Sequence, residues 1–361
     1  PDWSRGLGDV YKRQDQNGDS FVTFKIKADE TTDGPESLTL TLTGTSNQIS
    51  ITINDTSIEP SSEVGVITHK GGMPAISGDS TVISTNVWAS ATYNHNNLSR
   101  GEVKFWDRNP VDNTITERYT LPIPDGANPQ STDTTKFGRE EVSMNSDGTL
   151  VAISATGDGN GKVYIYEWDD VNQLYEIRDE ILAPESNNFG YCSLSGDGLT
   201  LIVGSSTNNK VYTYEYNTGT GNWDPNTSAE FTIPSKLSSV SISNTNKDVL
   251  IVGSAVADTV YTYDWNGSSW DHRIGKNVVL DTAGYGDGDW GHTLSLSNDG
   301  NTMAISSGSS SYTWHVWDWV DNQWVIRLVG EDDTSGDYNP LGYAIGASGV
   351  NNGIILSLIH I

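Results

Sequence analysis

The hexapeptide Val163-Tyr164-Ile165-Tyr166-Glu167-Trp168 puts Tyr164, Tyr166 and Trp168 on one face of an extended chain and Val163 and Ile165 on the other. Side chains alternate across a strand with a period of two, so a strand with one wet face alternates apolar with polar. This one is apolar on both faces and has to be covered on both. The pattern returns as Val211-Tyr212-Thr213-Tyr214-Glu215-Tyr216, Val260-Tyr261-Thr262-Tyr263-Asp264-Trp265 and Trp314-His315-Val316-Trp317-Asp318-Trp319. Upstream of each copy the order is constant. An opening pair (Phe137-Gly138, Phe189-Gly190, Ser238-Ser239, Trp290-Gly291) starts an apolar strand. A turn follows (Asp147-Gly148, Asp197-Gly198, Lys247-Asp248, Asp299-Gly300), then a second apolar strand such as Leu201-Ile202-Val203-Gly204. The turn positions 147, 197, 247 and 299 are 50, 50 and 52 residues apart.

Fifty residues hold four short strands with their turns, because β-branched and aromatic runs are cut by Gly, Asn, Asp and Ser clusters and none has helical spacing. Such a unit cannot bury both faces alone, so neighbouring units must stack. Four-stranded antiparallel sheets stacked face to face around an axis make a β-propeller, and the predicted fold class is all-β. A more divergent unit precedes the four, with strands at Met73 to Ile76, Val82 to Thr85 and Val103 to Asp107 and a polar insertion from Ala89 to Arg100. A last one opens at Leu341-Gly342-Tyr343 and stops after two strands. The expectation is five whole blades plus a partial sixth, truncated from about seven, forming an open arc with an apolar face exposed at an end.

The run of Phe-Gly, short strand, Ser-x-Asp-Gly, apolar strand and Val-Tyr-x-Tyr-x-Trp resembles the FG-GAP repeat family, whose integrin-α members form propellers, and the resemblance spans residues 68–356. It implies a propeller and, through acidic loops, calcium. Residues 15–57 have another texture: Phe21 to Ile26, Leu38 to Leu42 and Ile49 to Ile53 alternate cleanly, as strands with one wet face do. The Asp33-Gly34-Pro35-Glu36 turn followed by Leu-Thr-Leu-Thr-Leu resembles the later strands of Calx-beta-like domains, so 15–57 reads as part of a β-sandwich and 58–67, with Pro60, as a linker. The ends at 1–14 and 357–361 resemble translated sequencing-adaptor sequence and read as non-native or disordered.

Twenty basic against 47 acidic residues give a formal charge of −27. That field repels nucleic acid and anionic membranes. The single cysteine, Cys192, excludes an intrachain disulfide and sits where a small buried apolar side chain is expected. No apolar run approaches the roughly 20 residues of a membrane helix.

No catalytic motif stands out. Six histidines are scattered without metal spacing, there is no Gly-x-Ser-x-Gly elbow, and among 47 carboxylates no pair is singled out. Ca²⁺ takes six to eight oxygens, and no full acidic loop supplies them. The nearest candidates are Asp287 with Asp289 and Asp15 with Asp19, each also readable as a turn, so no cofactor is assigned and calcium is the one possibility. Asp107, Glu167, Glu215, Asp264 and Asp318 recur at the end of the third strand, read as a ring of acids that blocks edge pairing where the strand leaves the core. Trp168, Tyr216, Trp265 and Trp319 repeat and are expected between blades. Trp88, Trp223, Trp270, Trp290 and Trp324 look less repetitive and are expected to be exposed, the first four as ligand-binding candidates. The functional expectation is a non-enzymatic extracellular adhesion module of a larger surface protein, binding a protein or glycan through propeller loops beside neighbouring domains. The alternatives are a structural spacer or virion component, or a polysaccharide-acting propeller enzyme.

Overall fold

The computed structural model describes strands at 11–14, 20–23, 36–41, 48–53, 75–76 and 82–87, and then residues 102–331 apart from 110–113, 122–123, 125–136, 186–187, 244–247, 274–277, 280–288 and 308–312. The chain divides into two compact units, Pro1–Val66 and Ile67–Ile361. In the first, Tyr11–Gln14 pairs with Ser20–Thr23 and Glu36–Thr41 with Gln48–Ile53. Tyr11–Gln14 was expected to lie outside any strand; the Asn17-Gly18 hairpin signal between the two partners accounts for the pairing.

The second unit is a β-propeller. Each of its five sheets takes its strands in chain order and antiparallel. Blade 1 runs from Ala75 to Leu121, blade 2 from Phe137 to Leu182, blade 3 from Phe189 to Thr232, blade 4 from Ser239 to Val279 and blade 5 from Trp290 to Glu331. The unit that opens at Leu341 lies outside the described residues. The doubly apolar hexapeptide is sandwiched as its pattern requires. Tyr164, Tyr166 and Trp168 pack against Val103 and Phe105 of blade 1, while Val163 and Ile165 pack against Phe189 and Cys192 of blade 3.

The repeated turn explains the Ser-x-Asp-Gly signature. In blade 3 the Asp197 carboxylate accepts the Leu199 N–H at 2.9 Å and the Ser195 hydroxyl, while Ser195 Oγ accepts the Thr200 N–H at 2.9 Å. Blade 5 repeats this with Asp299, Asn301, Ser297 and Thr302. Gly198 and Gly300 follow at φ +66° and +69°, the left-handed region, and a Cβ on Gly300 would drive into the Val249 side chain.

Three devices recur at the joints between blades. Close to the axis, the first strands of successive blades pack together, and a serine at one register carries a bond across each of the three joints from blade 2 to blade 5. Ser143 Oγ accepts the Leu194 N–H at 2.9 Å, Ser193 that of Ile242 at 3.1 Å and Ser241 that of Leu296 at 3.0 Å. These N–H groups belong to inner strands whose free edge would otherwise need water. Farther out, each of blades 2 to 5 presents an aromatic pair directly opposed across its third and fourth strands: Trp168 with Tyr175, Tyr216 with Trp223, Trp265 with Trp270 and Trp319 with Trp324. Ring centroids lie 5.0 to 5.6 Å apart.

At the outer rim the recurrent acids do not form a free ring, which corrects the expectation for them. Asp107, Glu167, Asp264 and Asp318 pair with Arg118, Arg178, Arg273 and Arg327 at 3.3 to 3.7 Å. Arg118, Arg178 and Arg327 are each the extra residue of a β-bulge in the fourth strand, and a bulge re-aims the side chain it carries. Three of the guanidiniums then lie over the next blade's aromatic ring, Arg118 over Trp168 at 4.0 Å, Arg178 over Tyr216 at 4.2 Å and Arg273 over Trp319 at 3.9 Å from the ring centroid. Blade 3 departs from the rule, with Asn226 bonded to Glu215 at 3.4 Å.

Candidate functional site

Inner strands open with the Phe-Gly or Trp-Gly pair, and the pairing register slips directly after it in blades 2, 3 and 5. In blade 5 the slip has a steric origin: Gly291 (φ +84°) passes so close to the preceding blade that a Cβ on Gly253 would overlap its carbonyl. The residues at these slips leave the alternation of the core. Glu140 and Glu141 stand there in blade 2, and His292 in blade 5. Because the inner strands gather at the axis and run the same way, all three lie at the opening-pair end of the hub, above the level of Ser143, Ser193 and Ser241.

The electrostatics tie the two blades into one site. Burial holds the imidazole of His292 below its ordinary range, and the charges of Glu140 and Asp289 oppose that shift without cancelling it. Glu140, from a blade three units away along the chain, is therefore within electrostatic reach of His292. Glu141 bears electrostatically on Cys192 of blade 3. Its amide donates to Ser154 Oγ at 2.9 Å, whereas its Oε2 is closed off from solvent and meets no hydrogen-bond donor among the described residues. Burial, and after it the charge of Glu140, holds this carboxyl well above the usual carboxylate range. Beside it, burial pushes the Cys192 thiol up. Burial thus acts oppositely on the two groups, favouring the protonated form of the Glu141 carboxyl and the neutral form of the His292 imidazole. Environments that drive two titratable groups apart in this way set up acid and base roles.

Other buried and rim groups serve packing. His315 stacks on Trp290 with centroids 4.2 Å apart, and burial pushes its imidazole down to about 4. A cleft of ≈ 370 Å³ on the rim is lined by Glu167, Trp168, Asp170, Glu176 and Arg178. It belongs to the rim clamp, since Glu167 holds Arg178 at 3.3 Å and Asp170 accepts the Trp168 indole N–H at 2.7 Å.

Of the tryptophans expected at the surface, Trp223, Trp270 and Trp290 are 6%, 7% and 0% exposed, and Trp324 is buried too. Their exposure is corrected: the first two and Trp324 form, with Tyr175, the fourth-strand half of the aromatic pairs, while their third-strand partners Tyr216, Trp265 and Trp319 are only half-buried. The repeat was missed because the interval between partners is seven residues in blades 2 and 3 and five in blades 4 and 5. Trp88, Asp15, Asp19 and Asp287 lie outside the described residues. Asp289 is exposed, and its charge bears on His292. Among the described residues no group of three His, Cys, Asp or Glu side chains could hold a metal ion. Glu140, Glu141 and His292 carry no local motif. The one signal in the sequence is that two adjacent glutamates interrupt a strand otherwise built for the core.

No family model matches the sequence, and no curated protein does. Among solved structures the chain is similar to the periplasmic gluconolactonase of Pseudomonas aeruginosa, at 13% identity over 73% of this chain and 72% of that one, TM-score 0.51. It is similar to a protein from Lactobacillus plantarum at 14% identity over 85% and 84%, TM-score 0.50. A protein assigned as a 6-phosphogluconolactonase from Bacteroides fragilis aligns at 13% identity over 86% and 87%, TM-score 0.48. At these identities the likeness establishes the fold, a propeller of antiparallel four-stranded sheets. The expectation of a non-enzymatic adhesion module is corrected by this comparison, because the Pseudomonas protein of like architecture is named a gluconolactonase. No helix among the described residues is long and apolar enough to cross a membrane.

Proposed function

We propose that this propeller is a hydrolytic enzyme that opens cyclic esters of sugar acids at the axial mouth, the activity named for the Pseudomonas gluconolactonase. The observation that carries the reading is His292, whose imidazole burial holds below its ordinary range while the charge of Glu140, from a blade three units away along the chain, acts on it. In this reaction a water oxygen attacks the acyl carbon while His292 takes the water proton. The bond from the acyl carbon to the ring oxygen then breaks, and the released alkoxide takes the proton back from the imidazolium, leaving an open hydroxy acid. Glu140 stabilises the transient imidazolium. General base catalysis of this kind is worth roughly 10²- to 10⁴-fold.

The test is proton release from a lactone panel in a pH-stat, with a polysaccharide panel alongside. Lactone turnover that falls at least about 100-fold in His292→Gln supports the reading. Absence of lactone turnover, or turnover that neither His292→Gln nor Glu140→Gln lowers, overturns it. Polysaccharide cleavage alone would place the chemistry at glycosidic bonds.

The Phe-Gly and Asp-Gly signature supports placing the repeats with the FG-GAP type, and the alternating strands of 36–53 support a Calx-beta-like origin for the first unit. Work outside the cytoplasm is part of the proposal, supported by the acidic composition and the periplasmic setting of the Pseudomonas protein.

A further inference from the structure

We infer that Glu141, whose Oε2 is closed off from solvent without a donor among the described residues, stays a neutral carboxyl through neutral pH and leaves the negative charge of the pair on Glu140. This deepens the proposed function and rests on it for its catalytic meaning, although the protonation pattern stands on its own.

The geometry begins with the strand. Glu140 and Glu141 are consecutive residues at the register slip of the Phe137–Met144 strand. The charge of Glu140 acts on His292, whereas Glu141 bears on Cys192 of blade 3 and has its Oε2 closed off from solvent. An ionised carboxylate there would need donors, and Oε2 has none among the described residues. Burying an unsatisfied charge costs far more than burying a neutral carboxyl, so the proton stays.

The groups around Glu141 agree. From blade 3, Cys192 presents a buried thiol. The second strand of blade 2 presents Ser154, which binds the Glu141 backbone. In blade 1 the strands Ala75–Ile76 and Val82–Val87 contain no titratable residue. On the Glu102–Arg108 strand of that blade, Lys104 and Asp107 are engaged by Glu117 at 3.8 Å and Arg118 at 3.7 Å. Among the described residues the charge that acts on Glu141 is that of Glu140, a like charge, which disfavours a second ionisation beside it. A neutral Glu141 in turn spares Glu140 a repelling neighbour and keeps the negative charge of the pair on Glu140.

The experiment follows the His292 ring protons by NMR through a pH titration of the whole chain, in wild type, Glu140→Gln and Glu141→Gln. Infrared difference spectra report protonated carboxyl groups in parallel. In Glu140→Gln the His292 midpoint should fall by roughly half a unit, as expected for loss of a partly screened opposite charge. In Glu141→Gln it should stay within about a tenth of the wild-type value, while a carboxylic acid band present at pH 7 disappears. A downward shift in Glu141→Gln as large as that in Glu140→Gln, or no acid band at pH 7, overturns the inference. Neither readout needs turnover, so a failed lactonase assay and a failed protonation assignment are told apart.

Discussion

Arginine 273 is where the rim clamp is most tightly built, and its removal is the sharpest test of how the blades are held. Its side chain is 9% exposed. Nη1 donates to the Gly300 carbonyl at 3.0 Å, Nε lies 3.3 Å from Asp264, and the guanidinium carbon sits 3.9 Å above the Trp319 ring. A buried hydrogen bond from a charged donor is worth about 1.5–3 kcal/mol. Stacking on a partly desolvated indole adds about 1–2 kcal/mol. The Asp264 pair adds less than about 1 kcal/mol, because that carboxylate is half-exposed. Arg273→Ala should therefore cost about 2.5–6 kcal/mol. Arg327 supplies an internal control, since it makes the same pair with Asp318 at 3.4 Å on a side chain that is 39% exposed. Arg327→Ala should cost less than about 1 kcal/mol. Urea unfolding followed by tryptophan fluorescence reads both as shifts in midpoint at constant slope. Arg273→Lys should recover only the ion pair, because an ammonium lacks the planar fork that serves carbonyl and ring together. If Arg273→Ala and Arg327→Ala lose stability equally, or lysine restores the wild-type midpoint, the clamp does not hold the blades in the way described.

Ser193→Ala should cost about 1–3 kcal/mol in the same assay, because it orphans the inner-edge N–H of Ile242; a loss of only a few tenths would mean that water replaces the hydroxyl and the axis is wet at that level. Trp290→Ala, at a fully buried site, should cost about 3–5 kcal/mol, and a near-neutral result would return Trp290 to the surface. Glu141→Gln should change stability in a pH-dependent way. The folded state raises this carboxyl, so its contribution is present in full below the ordinary carboxylate range and drains as pH rises towards the folded value. Wild type and variant should therefore match near pH 4, and the variant should be the more stable at pH 8. Equal stability at both pH values would show that the carboxyl is not held in its acid form.

Much of the fold was legible because it is written as periodicity. A hexapeptide apolar on both faces, repeated at fifty-residue intervals with an Asp-Gly turn at a fixed place, admits few solutions beyond stacked four-stranded sheets, and the blades follow that pattern strand by strand. The turn signature was legible for the same reason: Ser195, Asp197 and Gly198 satisfy one another locally, so their chemistry needs only neighbours in sequence. What the sequence could not decide lies across the joints. Whether Trp223 and Trp270 face solvent or a neighbouring blade depends on cross-strand register, which a one-residue slip inverts, and each now sits opposite an aromatic. Whether the recurrent acids stand free depends on bulges that aim Arg118, Arg178 and Arg327 at them. Glu140 and His292 are 152 positions apart in the chain, a distance over which no spacing rule acts. Only the gathering of the inner strands at one axis brings their charges together, and only burial between blades separates the proton affinities of Glu141 and His292, since both depend on how much water the neighbouring blades leave.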